Sequence, residues 1–168
     1  GLVIAQRLAT VMAGSLELET SSAAGTTFVA RVMLERPKDA RPRPERSAIA
    51  GARLLIADSQ PRTAQVMAEM ARLWSMDARI AATAAETLTV LQESADRGAG
   101  FDFAVIDRNL EDQRGDKIGP LVRAAPTLVG LKLVLMVAAG FRGDAADVQR
   151  LGFDGYLQKP VTGSTLLD

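Results

Sequence analysis

Apolar residues recur along the chain in two rhythms, and the change between them divides it. At positions 2, 4, 5, 8, 9, 11 and 12 they mark one face of a helix over residues 2–13, stopped by Gly14. Residues 15–20 then alternate polar and apolar like a half-exposed strand, turn formers fill residues 21–25, and residues 26–34 continue as a second strand. A helix and a hairpin bury too little to make a core. From residue 53 onward, short apolar runs alternate with helical stretches. The runs predict strands at 53–57, 77–81, 101–106, 131–137 and 155–158, and the stretches between predict helices at 61–74, 84–95, 118–125 and 145–151. A fifth helix begins at 164–168. Apolar strands joined by helical crossovers demand a parallel sheet covered on both faces. Right-handed crossovers make it doubly wound, with ligands at the carboxyl ends of the strands.

Between the two rhythms lies a different composition. Residues 36–46 hold Pro37, Pro42 and Pro44 together with five basic and two acidic residues, and no aliphatic side chain larger than alanine. Prolines at that spacing forbid helix, so residues 36–51 are expected to be a semi-extended linker. Overall, 20 basic residues balance 20 acidic ones, so no net field argues for nucleic acid or a membrane surface. No apolar run approaches a membrane span, and the start of the sequence lacks the basic character of a signal peptide. Cysteine and histidine are both absent, which removes thiolate and imidazole chemistry, including Ser-His-Asp hydrolysis, zinc sites of the usual kind and any phosphohistidine on this chain.

The chemistry that remains stands at the predicted strand ends. The first strand of the second segment ends in Ala57-Asp58, the third in Asp107 and the fifth in Lys159-Pro160. Each alone reads first as a turn or cap residue, and it is their conjunction that points to chemistry. Together they place two carboxylates and an ammonium at one spot, where a cation between the acids would relieve their repulsion and hard oxygens suit Mg²⁺. Met67, Met70 and Trp74 lie at helical spacing and are expected in the core.

Over residues 52–168 the sequence resembles the receiver (response-regulator) domain of two-component signalling proteins. The resemblance rests on Leu54-Leu55-Ile56-Ala57-Asp58, on Phe101-Asp102-Phe103-Ala104-Val105-Ile106-Asp107 with Gly115 eight residues on, on Leu133-Val134-Leu135-Met136-Val137-Ala138-Ala139, and on Gly152-Phe153-Asp154-Gly155-Tyr156-Leu157-Gln158-Lys159-Pro160. It implies an α/β, flavodoxin-like, five-stranded parallel sheet in the order 2-1-3-4-5. It also implies roles: Asp107 as phosphoacceptor, Asp58 as direct Mg²⁺ ligand, Asn109 as the residue lending a backbone carbonyl to the metal, and Lys159 as the neutraliser of phosphoryl charge, followed by a cis bond to Pro160. Residues 1–35 resemble the closing helix and hairpin of a histidine-kinase ATP-binding domain, on Gly1-Leu2-Val3-Ile4-Ala5, Met12-Ala13-Gly14-Ser15-Leu16-Glu17-Leu18-Glu19-Thr20 and Gly25-Thr26-Thr27-Phe28. A kinase tail followed by a receiver is the layout of a bacterial hybrid histidine kinase. This implies a cytoplasmic setting, a phosphorelay, and a phosphohistidine-bearing kinase or phosphotransfer domain as partner. No kinase activity is expected from these residues themselves. The apolar face of residues 1–35 is expected to pack on the receiver or on its own copy, giving a homo-oligomer.

Three departures from the pattern stand out. Val3 replaces a usual glycine, Ala57 replaces the first of two acids, and Val137 stands where the receiver family carries a threonine or serine whose hydroxyl bonds the phosphoryl group. Losing an acid predicts weak Mg²⁺ binding. Losing the hydroxyl removes a charge-assisted hydrogen bond, typically worth ~1.5–3 kcal/mol, from the phosphorylated state. Tyr156 matches the aromatic that follows that hydroxyl; it reads equally as a tyrosine packed on the neighbouring helix with its hydroxyl in water. A degenerate receiver acting as an interaction or regulatory module is therefore the competing expectation, and Arg142 with Tyr156 offers a third, a ligand-sensing face that stacks a guanine base.

Overall fold

The computed structural model describes residues 1–35, 49–162 and 165. The chain divides into two compact units, Gly1–Arg43 and Pro44–Asp168. The expected linker falls largely on residues 36–48, and most of the expected start of a fifth helix falls on residues 163, 164 and 166–168; both lie outside the described residues.

In the first unit, helix α1 (Leu2–Val11) precedes strands β1 (Ser15–Ser22) and β2 (Gly25–Arg31). The strands pair antiparallel from Ser15↔Arg31 to Ser22↔Gly25, with one irregularity between Leu18 and Thr20. β2 ends three residues earlier than the pattern predicts, because β1 offers no partner before Ser15. The backbone beyond Arg31 turns to α1 instead, where the Met33 N–H donates to the Met12 carbonyl at 3.0 Å. Ala9 is the buried residue of α1, while Leu2, Ile4, Leu8, Val11, Leu18 and Phe28 are exposed.

The second unit alternates strand and helix: β3 (Arg53–Ala57), α2 (Pro61–Leu73), β4 (Asp77–Ala81), α3 (Ala84–Asp96), β5 (Phe103–Asp107), α4 (Ile118–Ala124), β6 (Lys132–Val137), α5 (Ala145–Arg150) and β7 (Gly155–Gln158). All strand pairs are parallel, in the order β4-β3-β5-β6-β7. Counted within the unit, this is the order 2-1-3-4-5 of the doubly wound flavodoxin-like sheet. Strand residues are buried in alternation against the two faces. Leu55, Ala57, Ile106, Leu133, Leu135 and Val137 join Leu91, Ile118, Val122 and Val148 of α3, α4 and α5. Leu54, Ile56, Val105 and Met136 join Ala64, Met67, Ala68 and Ala71 of α2. The near-continuous apolar runs follow from this double burial. Met67 and Trp74 are buried and Met70 packs at the margin of the α2 cluster, as expected.

Local chemistry sets the boundaries. Pro61 opens α2 at its first turn, where its missing N–H costs nothing. Thr83 caps α3 through the Glu86 N–H, and Asp144 and Asp147 form a reciprocal capping box on α5. β5 starts two residues later than predicted and includes Asp107. Asp102 precedes it, its carboxylate accepting the Arg53 N–H at 2.7 Å. Two 3₁₀ turns, Gly115–Lys117 and Pro126–Leu128, flank α4; three residues are too few to display a period in the sequence. Among the described residues no helix is long and apolar enough to cross a membrane.

Packing is tight enough around α4 to make a single methyl felt. A Cβ on Gly119 would stand 1.9 Å from the Leu151 carbonyl oxygen and 2.8 Å from the Phe153 ring. Gly119→Ala is expected to lower stability by about 1–3 kcal/mol through overpacking. Urea denaturation measures this, and an unchanged midpoint would contradict the packing described.

Candidate functional site

Strand alternation gathers the polar residues. Asp58 continues the phase of Leu54 and Ile56, Asp107 that of Phe103 and Val105, and Lys159 that of Gly155 and Leu157, all on the α2 face of the sheet. At the carboxyl ends of β3, β5 and β7 they meet. The Lys159 Nζ donates to Asp107 Oδ2 at 2.7 Å and to Asp58 Oδ2 at 3.0 Å. Both acids are buried and the lysine side chain is 28% exposed. The other carboxylate oxygens are also occupied: Asp58 Oδ1 accepts the Gln60 N–H at 2.8 Å, and Asp107 Oδ1 accepts the Asn109 N–H at 3.2 Å. Burial alone would lower the Lys159 ammonium's pKa. Hydrogen bonds and charge from Asp107 and Asp58 overcome this and hold it above the ordinary lysine range.

Lys159 is placed by backbone. Its N–H donates to the Val137 carbonyl at 2.8 Å, and its bond to Pro160 is cis. On the other side, the segment from Arg108 to Arg114 is closed by the Gly115 N–H donating to the Arg108 carbonyl at 2.9 Å. Gly115 is required there: a Cβ would lie 2.0 Å from the Asp107 carbonyl oxygen. The Asn109 carbonyl oxygen lies 3.5 Å from the Ser59 hydroxyl, so it faces the end of β3 beside Asp58. Among the described residues no group of three or more carboxylate, thiol or imidazole side chains gathers to hold a metal. Asp58, Asp107 and the Asn109 carbonyl nevertheless form an all-oxygen set with two carboxylates. That donor set fits Mg²⁺, which binds one or two carboxylates and keeps several waters.

Val137 and Tyr156 lie in the opposite phase, away from the acids. Val137 is buried with Leu133 and Leu135, and offers no donor. Tyr156 is 41% exposed, and its ring tilts against Phe141 with centroids 5.9 Å apart. The Arg108 guanidinium stacks over the other partner's ring, 5.1 Å from the Phe141 centroid. The guanidinium over an aromatic here is thus that of Arg108, not Arg142. Sequence reading did not single out Arg108, Phe141 or Asp116. Arg108 follows Asp107 directly, but nothing in its spacing marks Phe141, a loop residue 33 positions on, as its partner.

Asp116, buried under the 3₁₀ turn, accepts hydrogen bonds from Arg108 Nε at 3.0 Å and from Arg114 Nε and Nη2. Burial alone would raise its carboxyl. The hydrogen bonds and charges of Arg114 and Arg108 outweigh that and hold it below the usual carboxylate range.

No family model matches the chain. Chemotaxis protein CheY-3 of Vibrio cholerae serotype O1 is 32% identical over 66 residues, 39% of this chain and 51% of that protein. The chain therefore spans about half the length of the curated relatives it matches. Among solved structures, a response regulator from Chloroflexus aurantiacus superposes with a TM-score of 0.62 at 23% identity, covering 69% of this chain and 91% of that one. The Vibrio cholerae chemotaxis protein CheY4 gives 0.61 at 22% identity, covering 70% and 94%. A CheY-like receiver domain protein from Methanospirillum hungatei gives 0.58 at 24%, covering 70% and 89%. The fold of the second unit is that of response regulator receiver domains.

The arginine clamp on Asp116 generates a prediction. Asp116→Asn is expected to cost about 1.5–3 kcal/mol at neutral pH, the worth of hydrogen bonds to a charged group. Because the folded-state pKa is depressed, this contribution is fully present above the unfolded value of about 3.9 and is lost as pH falls through the folded one. Denaturation at several pH values should show a constant gap between the two proteins from pH 5 to 8 and a closing gap below about pH 4. A gap independent of acid would refute the assignment.

Proposed function

We propose that the second unit is the phosphoacceptor receiver of a two-component hybrid histidine kinase, taking a phosphoryl group from phosphohistidine onto Asp107 with Mg²⁺. The observation that carries this reading is the Lys159 ammonium 2.7 Å from Asp107 and 3.0 Å from Asp58 at the ends of separate strands. In the step proposed, an Asp107 carboxylate oxygen attacks phosphorus in line. The O–P bond forms as the P–N bond to imidazole breaks, the bonding pair leaves with the imidazole nitrogen, and that nitrogen is protonated from solvent. Lys159 stabilises charge on the phosphoryl oxygens, and Gly115 lets the turn pass close behind Asp107. Asp58, Asp107 and the Asn109 carbonyl would hold Mg²⁺, which would add to the neutralisation of the phosphoryl oxygens; with Ala57 in place of a second acid, that binding would be weak.

The kinase context rests on the sequence resemblance of residues 1–35, which form a helix and a hairpin, to the closing elements of a histidine-kinase ATP-binding domain. The partner is a phosphohistidine-bearing kinase or phosphotransfer domain, and the exposed apolar side chains of residues 1–35 suit self-association.

A second reading is favoured by Val137 and by the ammonium that already satisfies both acids: a degenerate receiver that regulates by docking, with little or no phosphorylation. One experiment separates the two. Incubation with acetyl phosphate and Mg²⁺, followed by intact mass measurement, is expected to add one phosphoryl group to the native protein and none to Asp107→Asn. No gain in the native protein selects the second reading, and an equal gain in the variant overturns the assignment of Asp107.

Val137 generates the other prediction. A ligand shifts a two-state equilibrium only by its differential affinity for the states. Losing ~1.5–3 kcal/mol of that difference weakens coupling by roughly ten- to a hundredfold. Beryllofluoride at Asp107 is expected to leave Tyr156 and α5 largely in place, and Val137→Thr to restore part of the response. Large amide shifts through residues 137–158 in the native sequence would sink this expectation.

A further inference from the structure

Asn109 sits on a segment without regular structure, yet its carbonyl must hold one direction if it is to serve a cation. The near end is tied by the Asn109 N–H to Asp107 Oδ1 and by the Gly115 N–H to the Arg108 carbonyl. The far end is tied elsewhere. Asp112, exposed at the crest of the segment, sends its carboxylate across to the start of α3, where Oδ1 accepts the Ala84 N–H at 2.8 Å and Oδ2 accepts the Ala85 N–H at 3.0 Å. Thr83 Oγ1 takes the Glu86 N–H beside them, so three successive donors at the first turn of α3 are satisfied, two of them by a residue 27 and 28 positions away. These two backbone donors hold the Asp112 carboxyl below its ordinary range. The contact is bidentate to the start of α3, where Ala84 is fully buried and Ala85 is exposed.

We propose that Asp112 is a positioning residue, fastening the segment that carries Asn109 to α3 so that the Asn109 carbonyl stays directed at the Asp58–Asp107 pair. The claim about the cation rests on the receiver reading above; the claim about the segment does not.

The test uses the whole chain and two measurements. Calorimetric titration with Mg²⁺ alone is expected to give roughly tenfold weaker binding for Asp112→Ala, the order seen when a residue orienting a metal ligand is removed. Asp112→Asn, whose amide oxygen still accepts a backbone N–H, is expected to recover most of that loss. Glu111→Gln removes the same charge from the same segment and should bind Mg²⁺ like the native protein. Amide hydrogen exchange in the metal-free protein is expected to accelerate at Asn109 and Gly115 in Asp112→Ala and to stay slow in the other two variants. Native-like exchange at both amides in Asp112→Ala overturns the proposal. Equal loss of Mg²⁺ affinity in Glu111→Gln and Asp112→Ala also overturns it, by reducing the effect to charge. Should the native protein bind no Mg²⁺, the cation reading fails, and exchange at Asn109 and Gly115 alone decides whether Asp112 holds the segment.

Discussion

The organisation of the second unit depends on one ammonium group shared between two buried carboxylates. Asp58 and Asp107 lie 101 and 52 positions from Lys159, the three standing at the ends of three different strands, and each acid would be costly to bury alone. Lys159 makes them tolerable. Breaking such an arrangement by removing one partner is far more damaging than replacing all of it, because it leaves an uncompensated charge. The polar cluster therefore specifies which strand ends come together, and the apolar sheet beneath supplies the stability. Where every oxygen of the acids has a donor already, an arriving cation or phosphoryl group must compete with existing bonds.

The two faces of the sheet divide the labour. Residues in phase with α2 carry the acids and the lysine, while Val137 and Tyr156 lie in the other phase, with α5 and the loop bearing Phe141. Arg108 leaves the strand end beside Asp107 and divides its guanidinium between Asp116 and the Phe141 ring.

Most of the second unit could be read from the residues. Double burial makes β3, β5 and β6 continuous apolar runs, and turn residues punctuate them, so the strands and their parallel direction followed from pattern, while the order 2-1-3-4-5 came with the resemblance to receivers. Asp58, Asp107 and Lys159 were legible because strand ends in such sheets face one another. Asp112, Asp116, Arg108 and Phe141 were not. Their roles arise from contacts between loops, and a loop residue's partner depends on three-dimensional closure, which leaves no periodic trace. The earlier end of β2 had a similar cause: Val32 and Leu34 continue the alternation, but no strand opposite offers them a ladder.

The alternation that aligns the site also limits how the sequence can change in length. One residue added within β5 ahead of Asp107 would turn that side chain to the opposite face and bring a neighbour into its place, and the same holds for β3 and β7. An addition at the amino ends of the strands, as in the turn near Gly98 between α3 and β5, leaves every phase intact. A change of length inside β3, β5 or β7 thus disperses the site, because the step from the last apolar residue to its polar partner is set at one peptide from Ala57 to Asp58 and from Ile106 to Asp107, and at two from Leu157 to Lys159.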